Sequence, residues 1–285
     1  MTVLSSAAAM AADAGYIDDE LEALHQLGTV YWHQGQLNEA RVVQRDVLAL
    51  REKQGDRRQI ARCLNNLGIT SLYLGQYGIA RIVLSEALRE FRSIDDRLDQ
   101  RRTLNNLADL SVRMGEKEAA RHMLKEALKI KLPNVNRSDR AVIDITLASA
   151  LEIPGQLDEA LSLLGNALES FRELGDLRNQ VICLNETGRI HRESGHAHDA
   201  ARLHISALDL SRTIGAVMEE VQSLLLLGTA ERLAGQRLSA IGHLKSALVL
   251  ARRIHLVPEE VEAVAELERE VASSGAPEDA PPVTR

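Results

Sequence analysis

The sequence predicts an all-α protein, a right-handed α-solenoid of about six helical hairpins with partial caps at its ends. Three observations lead there. Aromatic residues are only 2% of the 285 residues, too few for the strands of a sandwich or barrel, which draw on aromatic and β-branched side chains. Leu, Ala, Arg and Glu dominate, and these are strong helix formers. One pattern then returns every forty residues: Gly35, Gly75, Gly115, Gly155, Gly195 and Gly235, with Ala40, Ala80, Ala120, Ala160, Ala200 and Ala240 always five places later. A fixed period of this length marks a stacked array of small units.

The elements follow in order. In residues 1–17, Leu4 aligns with Leu84, Ala7 and Ala8 with Ala87 and Leu88, and Gly15 with Gly55. This stretch is therefore expected to be the second helix of an incomplete unit, either because the chain is part of a longer protein or because a lone helix caps the array. Residues 18–257 hold six hairpins. The first helix of each carries a pair such as Leu27-Gly28, Leu67-Gly68, Leu107-Ala108 or Leu227-Gly228, and a missing or minimal Cβ there lets the second helix pack closely. The turn glycine suits the left-handed position that ends a helix. The second helix buries a stripe at three- and four-residue steps, for example Ala80, Val83, Leu84, Ala87 and Leu88.

The fourth unit is irregular, with Pro133 in the segment before it and Pro154 beside its turn glycine. A proline in each place bends or widens a stack; a tolerated loop variation and a hinge are both open. Residues 258–272 read as a charged, solvent-facing capping helix with Pro258 near its first position. Residues 273–285, with three Pro and little apolar content, read as a disordered tail.

Composition limits the function. The net charge is −7, from 34 basic and 41 acidic residues, which disfavours direct nucleic-acid contact by this segment. No apolar run approaches the roughly 20 residues that span a bilayer, and the first ten residues lack the pattern of a signal peptide. A cytoplasmic protein with no membrane attachment is expected. Two cysteines, Cys63 and Cys183, share a register three repeats apart, beyond the reach of a disulfide. No Walker, GxGxxG, GxSxG or HExxH motif is present, so no catalytic residue, cofactor or metal is assigned. The densest cluster, His191, His196, His198, Asp199 and His204, spans a turn; His204 falls on the core register of Leu84, Leu124 and Leu164 and reads as a packed side chain.

Recognition residues are sought on the first helices, which line the concave side when hairpins stack and curve. One register runs His25, Asn65, Asn105, Ile145, Asn185 and Leu225. A turn earlier stand Arg62 and Arg102, and a turn later Asp109 and Arg189. Asparagine is a mediocre helix former, so three on one mid-helix register point to a use. Its amide offers a donor and an acceptor together, matching a peptide group. Arg62, Arg102 and Arg189 favour an acidic or carboxylate-bearing ligand, which Asp109 would locally oppose. The expected occupant of this mixed groove is a protein or peptide ligand, and self-association of the array is compatible with it.

The order Leu67-Gly68, Gly75, Ala80, Ala87 resembles the tetratricopeptide repeat (TPR), in a forty-residue variant of a unit that usually has about thirty-four. The family's aromatic after Leu-Gly survives as Tyr31 but is Ser71, Ser111, Leu151, His191 and Glu231 elsewhere. The runs Leu64-Asn65-Asn66-Leu67 and Leu104-Asn105-Asn106-Leu107 are similar to those of kinesin light chains and bacterial regulators. With six lysines among 34 basic residues and Gly-Asp linkers, the chain is similar to the C-terminal TPR arrays of actinobacterial antibiotic-regulatory (SARP-type) transcriptional activators. The resemblance implies an interaction module, a sensory segment of a larger bacterial transcription regulator whose DNA-binding or ATPase parts would precede Met1. It also implies that Asn65, Asn105 and Asn185 grip a ligand's backbone. The alternative is a free-standing adaptor joining two protein partners.

Overall fold

The computed structural model describes residues 2–132, 137–151 and 155–274, and among them only helices occur as regular elements. A first helix, α1 (Thr2–Ala14), precedes six hairpins. These pair α2 (Ile17–His33) with α3 (Leu37–Gln54), α4 (Arg57–Tyr73) with α5 (Tyr77–Ser93), and α6 (Arg97–Arg113) with α7 (Lys117–Lys129). The series continues with α8 (Arg137–Ala150) and α9 (Leu157–Glu173), α10 (Leu177–Glu193) and α11 (Ala197–Thr213), then α12 (Val217–Leu233) and α13 (Arg237–Ile254). Helix α14 (Val257–Ser274) ends the described chain. Each helix packs on its neighbours in sequence, which is the α-solenoid the period predicted.

Local chemistry sets the ends of the helices. Gly35, Gly75, Gly115, Gly195 and Gly235 turn five of the six hairpins with φ between 71° and 85°, a conformation that a side chain strains. A second set of left-handed turns, out of phase with the first, joins one hairpin to the next. Gly15, Gly55, Gly175 and Gly215 supply it, and Asp95 and His255 adopt it without being glycine. Asp56, Asp96 and Asp176 cap the following helices, each carboxylate accepting a backbone N–H at 3.1–3.3 Å.

The small residues do the packing work expected of them. A Cβ on Gly68 would lie 2.5 Å from Leu84 Cγ, and one on Gly228 would lie 2.7 Å from Leu244 Cγ. The fifth hairpin meets the same constraint with a different partner, since a Cβ on Gly188 would lie 2.5 Å from the His204 ring. The third and fourth hairpins are both shortened where they meet: α7 has 13 residues and α8 has 14, where α4 and α5 have 17 each. Pro133 and Pro154, and with them the hinge, lie outside the described residues, as do residues 275–285 of the tail.

The stack also closes on itself. Leu37 and Leu74, from the turns of the first two hairpins, are buried in one apolar cluster with Met218, Val221, Ile254 and Leu256. Trp32 joins it, edge-on to Tyr73 at 5.9 Å and beneath the Arg178 guanidinium at 5.4 Å. Arg113 lies over the Tyr73 ring at 5.1 Å and reaches Glu259 at 3.7 Å. The acidic face of α14, expected in solvent, is thus turned inward: Glu259, Glu266 and Glu270 are buried, against Arg113, Arg232 and Arg237. Buried carboxylates need such partners, and α12, enclosed between these layers, is buried on nearly every side.

Candidate functional site

The first helices α2, α4, α6 and α8, with Val47 and Arg51 of α3 and Phe91 of α5, line a cavity of about 540 Å³ whose walls include Asn65, Asn105, Arg62 and Arg102. A second cavity of about 300 Å³ adjoins it beside Leu24, Trp32 and Val43. The two share His25, Val47, Cys63, Asn66 and Ile69. The larger is lined by several charged and amide side chains, the smaller mainly by apolar ones.

Four of the seven sequence-derived residues therefore meet, but most are already occupied. Asn65 Oδ1 accepts the Asn106 amide at 3.0 Å and lies 3.1 Å from the Thr103 hydroxyl. Arg62 Nε donates to Asp99 at 2.8 Å, and Arg102 Nε to Asp139 at 3.0 Å. These bonds run from one first helix to the next, so the arginines tie repeats together. Asn105 differs. It is buried in the cavity wall and its amide makes no hydrogen bond with any described residue.

The other three residues stand apart from both cavities. Asp109 pairs with Arg113 at 3.5 Å, in the closure described above. Arg189 donates to Glu186 at 2.9 Å and also pairs with Glu193. Burial opposes the charge of Glu186, yet Arg189 and the Ser149 hydroxyl outweigh it and hold the carboxyl below its ordinary range. Asn185 is 1% exposed and fully engaged: its Nδ2 donates to Ser223 Oγ at 2.8 Å, and its Oδ1 meets His204 Nδ1 at 3.0 Å. Burial, helped by Arg192, pushes His204 down to about 3, so the ring is neutral and Nδ1–H is the donor. His204 is thus a packed side chain, and the remaining histidines of the cluster show a ring contact between His191 and His196 at 6.1 Å.

Sequence reasoning missed Arg101. It lines the larger cavity, is buried, and has no hydrogen bond or ion pair with any described residue. The signal was present: its register otherwise reads Leu21, Ala61, Ala141, Val181 and Val221. An arginine among five apolar core residues departs from that register.

A model of the tetratricopeptide repeat matches residues 19–93, 72–132 and 139–213, well over half of the chain. The chain belongs to the tetratricopeptide repeat family. TPR units are in general interaction modules rather than catalysts. Among solved structures, this TPR array is similar to a STAND-class signal-transduction ATPase with a TPR sensor from Pyrococcus horikoshii, at 15% identity and a TM-score of 0.60 over 90% of the chain. The chain spans only 41% of that protein. It is also similar to a Rap protein complexed with Competence and Sporulation Factor, at 12% identity and a TM-score of 0.61, covering 90% of this chain and 88% of that one. The apo form of RapI is similar at 13% identity and a TM-score of 0.58, covering 89% and 99%. At these identities the likeness is one of fold. Comparison with curated proteins finds no match. No helix among the described residues is long and apolar enough to cross a membrane.

Proposed function

We propose that this TPR array binds a peptide in the paired cavities between its first helices and acts as the sensory segment of a longer cytoplasmic transcription regulator. The observation that carries the binding role is Asn105, a buried amide without a hydrogen bond on the wall of a cavity of about 540 Å³. Leaving a buried amide unpaired costs about 1–3 kcal/mol, a cost that a ligand's peptide group removes. The regulatory role is supported by the sequence resemblance to antibiotic-regulatory activators. The TPR sensor of the STAND ATPase offers a parallel, since there too the array is one part of a larger chain.

Trp32, the single tryptophan, borders the apolar cavity and reports occupancy by its fluorescence. Titration with a pool of short peptides should change its emission saturably. The Asn105→Ala variant should fold normally and bind about 1–2 kcal/mol more weakly. No saturable change with any peptide pool rejects the binding role. The regulatory role is tested by the reading frame upstream of Met1, which should encode a DNA-binding or ATPase segment; its absence leaves the adaptor role.

A further inference from the structure

The first hairpin lacks the side chain that fills the helix crossing in the others. One position of the second helix reads Gln44, Leu84, Leu124, Leu164, His204 and Leu244, and the last five are at most 1% exposed. Leu84, His204 and Leu244 lie so close over Gly68, Gly188 and Gly228 that a Cβ on any of these glycines would stand 2.5–2.7 Å from them. Gln44 does not take that place. Its Oε1 accepts the Thr70 hydroxyl of the next hairpin at 2.9 Å, and a Cβ on Gly28 would meet only Val43, at 3.4 Å. The cavity of about 300 Å³ lies at this unfilled crossing, with Gly28, Val43 and Gln44 in its wall.

The chemistry of that wall selects the occupant. Among the described residues that line it none is Asp, Glu, Lys or Arg, although these four make up 26% of the chain. The larger cavity, by contrast, carries four arginines and two aspartates. Burial, helped by Arg178, holds His33 below its ordinary 6.5, and burial raises the Cys63 thiol, so both are uncharged at neutral pH. An ion entering here would lose its hydration and find no counter-ion. A peptide backbone suits the space little better, because each of its amides needs a partner. The Thr29 hydroxyl already donates to the His25 carbonyl, and the Gln44 carbonyl is held by Thr70. Leu24, Trp32, Val43, Val47 and Ile69 supply an apolar surface, and the Trp32 ring is one on which an aromatic occupant packs. At about 300 Å³ the cavity has about twice the volume of an apolar cavity of roughly 150 Å³ that takes up benzene.

We propose that the smaller cavity is a binding site of its own for an uncharged apolar small molecule of about two fused rings, packed on Trp32 in the space that Leu84 and its counterparts fill in the other hairpins. A peptide held through Asn105 lies in the larger cavity, so the inference goes beyond that reading and does not depend on it.

The probes are three compounds of one shape, naphthalenemethanol, naphthoate and naphthylmethylammonium, all substituted at the same ring position. They are titrated calorimetrically at neutral pH against the full chain. The alcohol should bind at least about tenfold more tightly than either ion and should raise the melting temperature. Gly28→Leu tests the place, because its side chain enters the cavity from α2. This variant should bind the alcohol at least about tenfold more weakly and melt no lower than the wild type, since the leucine has room and is the better helix former. Gly68→Leu, at a crossing that Leu84 already fills, should melt well below the wild type. No binding of the alcohol, or equal binding of the alcohol and the ions, overturns the proposal and leaves the peptide reading standing. Unchanged affinity of Gly28→Leu for the alcohol puts the probe elsewhere and also overturns it. A melting temperature of Gly28→Leu as low as that of Gly68→Leu shows the crossing to be filled, with the same consequence.

Discussion

Asn105 and Asn185 occupy the same place in the first helices of the third and fifth hairpins, and both are buried, yet one amide is fully bonded and the other has no partner. The difference lies in two other positions of the repeat. Asn185 finds its partners thirty-eight residues later at Ser223 and nineteen residues later at His204. The corresponding residues for Asn105 are Ile143 and Leu124, which offer an amide nothing. Asn65 follows the pattern of Asn185 in part, since Thr103, thirty-eight residues later, lies within bonding distance. A shared register thus fixes where a side chain points, and its neighbours in the next layer decide whether it is available. The first hairpins keep a cavity with an open amide, while the last ones are filled by polar bonds and by the closure of α14.

The comparison breaks most completely if the closure is removed. Arg113→Met deprives buried Glu259 of its cationic neighbour and should cost about 3 kcal/mol. Chemical denaturation should show that loss, and limited proteolysis should cut α14 before the first hairpins. Unchanged protection of α14 would mean that the apolar cluster around Leu37 and Ile254 holds the closure alone. A smaller effect separates the two asparagines. Asn185→Ala leaves Ser223 and His204 without a partner and should destabilise by about 1–3 kcal/mol. Asn105→Ala breaks no bond and removes the unpaired amide, so it should be neutral or slightly stabilising. Equal losses in thermal melts would erase the distinction between a structural and an available amide.

The smallest expected effect is a dependence on pH. Burial raises the Glu259 pKa above its ordinary 4.5, with Arg113 pulling the other way, and burial raises Glu262 likewise. A carboxyl whose folded pKa is raised binds its proton more tightly when folded. Its contribution to stability is fully present below 4.5 and is lost as pH rises through the folded value. The wild type should therefore gain stability relative to Glu259→Gln as pH falls from about 8 to about 5. Parallel melting curves across that range would show that Glu259 does not titrate within the closure.

Much of the site was legible in advance, and the reason is geometric. A forty-residue period carries every first-helix residue to the equivalent place in the next layer, so Asn65, Asn105, Arg62 and Arg102 could be put on one wall from spacing alone. What spacing does not give is occupancy. Arg62 and Arg102 looked available because Asp99 and Asp139 lie thirty-seven residues away in sequence, although the stack places them at 2.8 Å and 3.0 Å. Arg101 escaped notice for the opposite reason, since it sits on a register read as core rather than groove.

The sequence by itself determined the repeat, the helical hairpins, their turns and the small residues at their crossings. All of these rest on contacts within a unit or between adjacent units, where spacing along the chain translates directly into spacing in space. Only the tertiary structure decided that Leu37 and Leu74 meet Ile254 and Leu256, that the acidic face of α14 turns inward, and that Arg101 is left without a partner. Those outcomes depend on how a small rotation between hairpins accumulates over six of them. No single unit records that sum, and it is the sum that brings the two ends of the array together while leaving a cavity between its first helices.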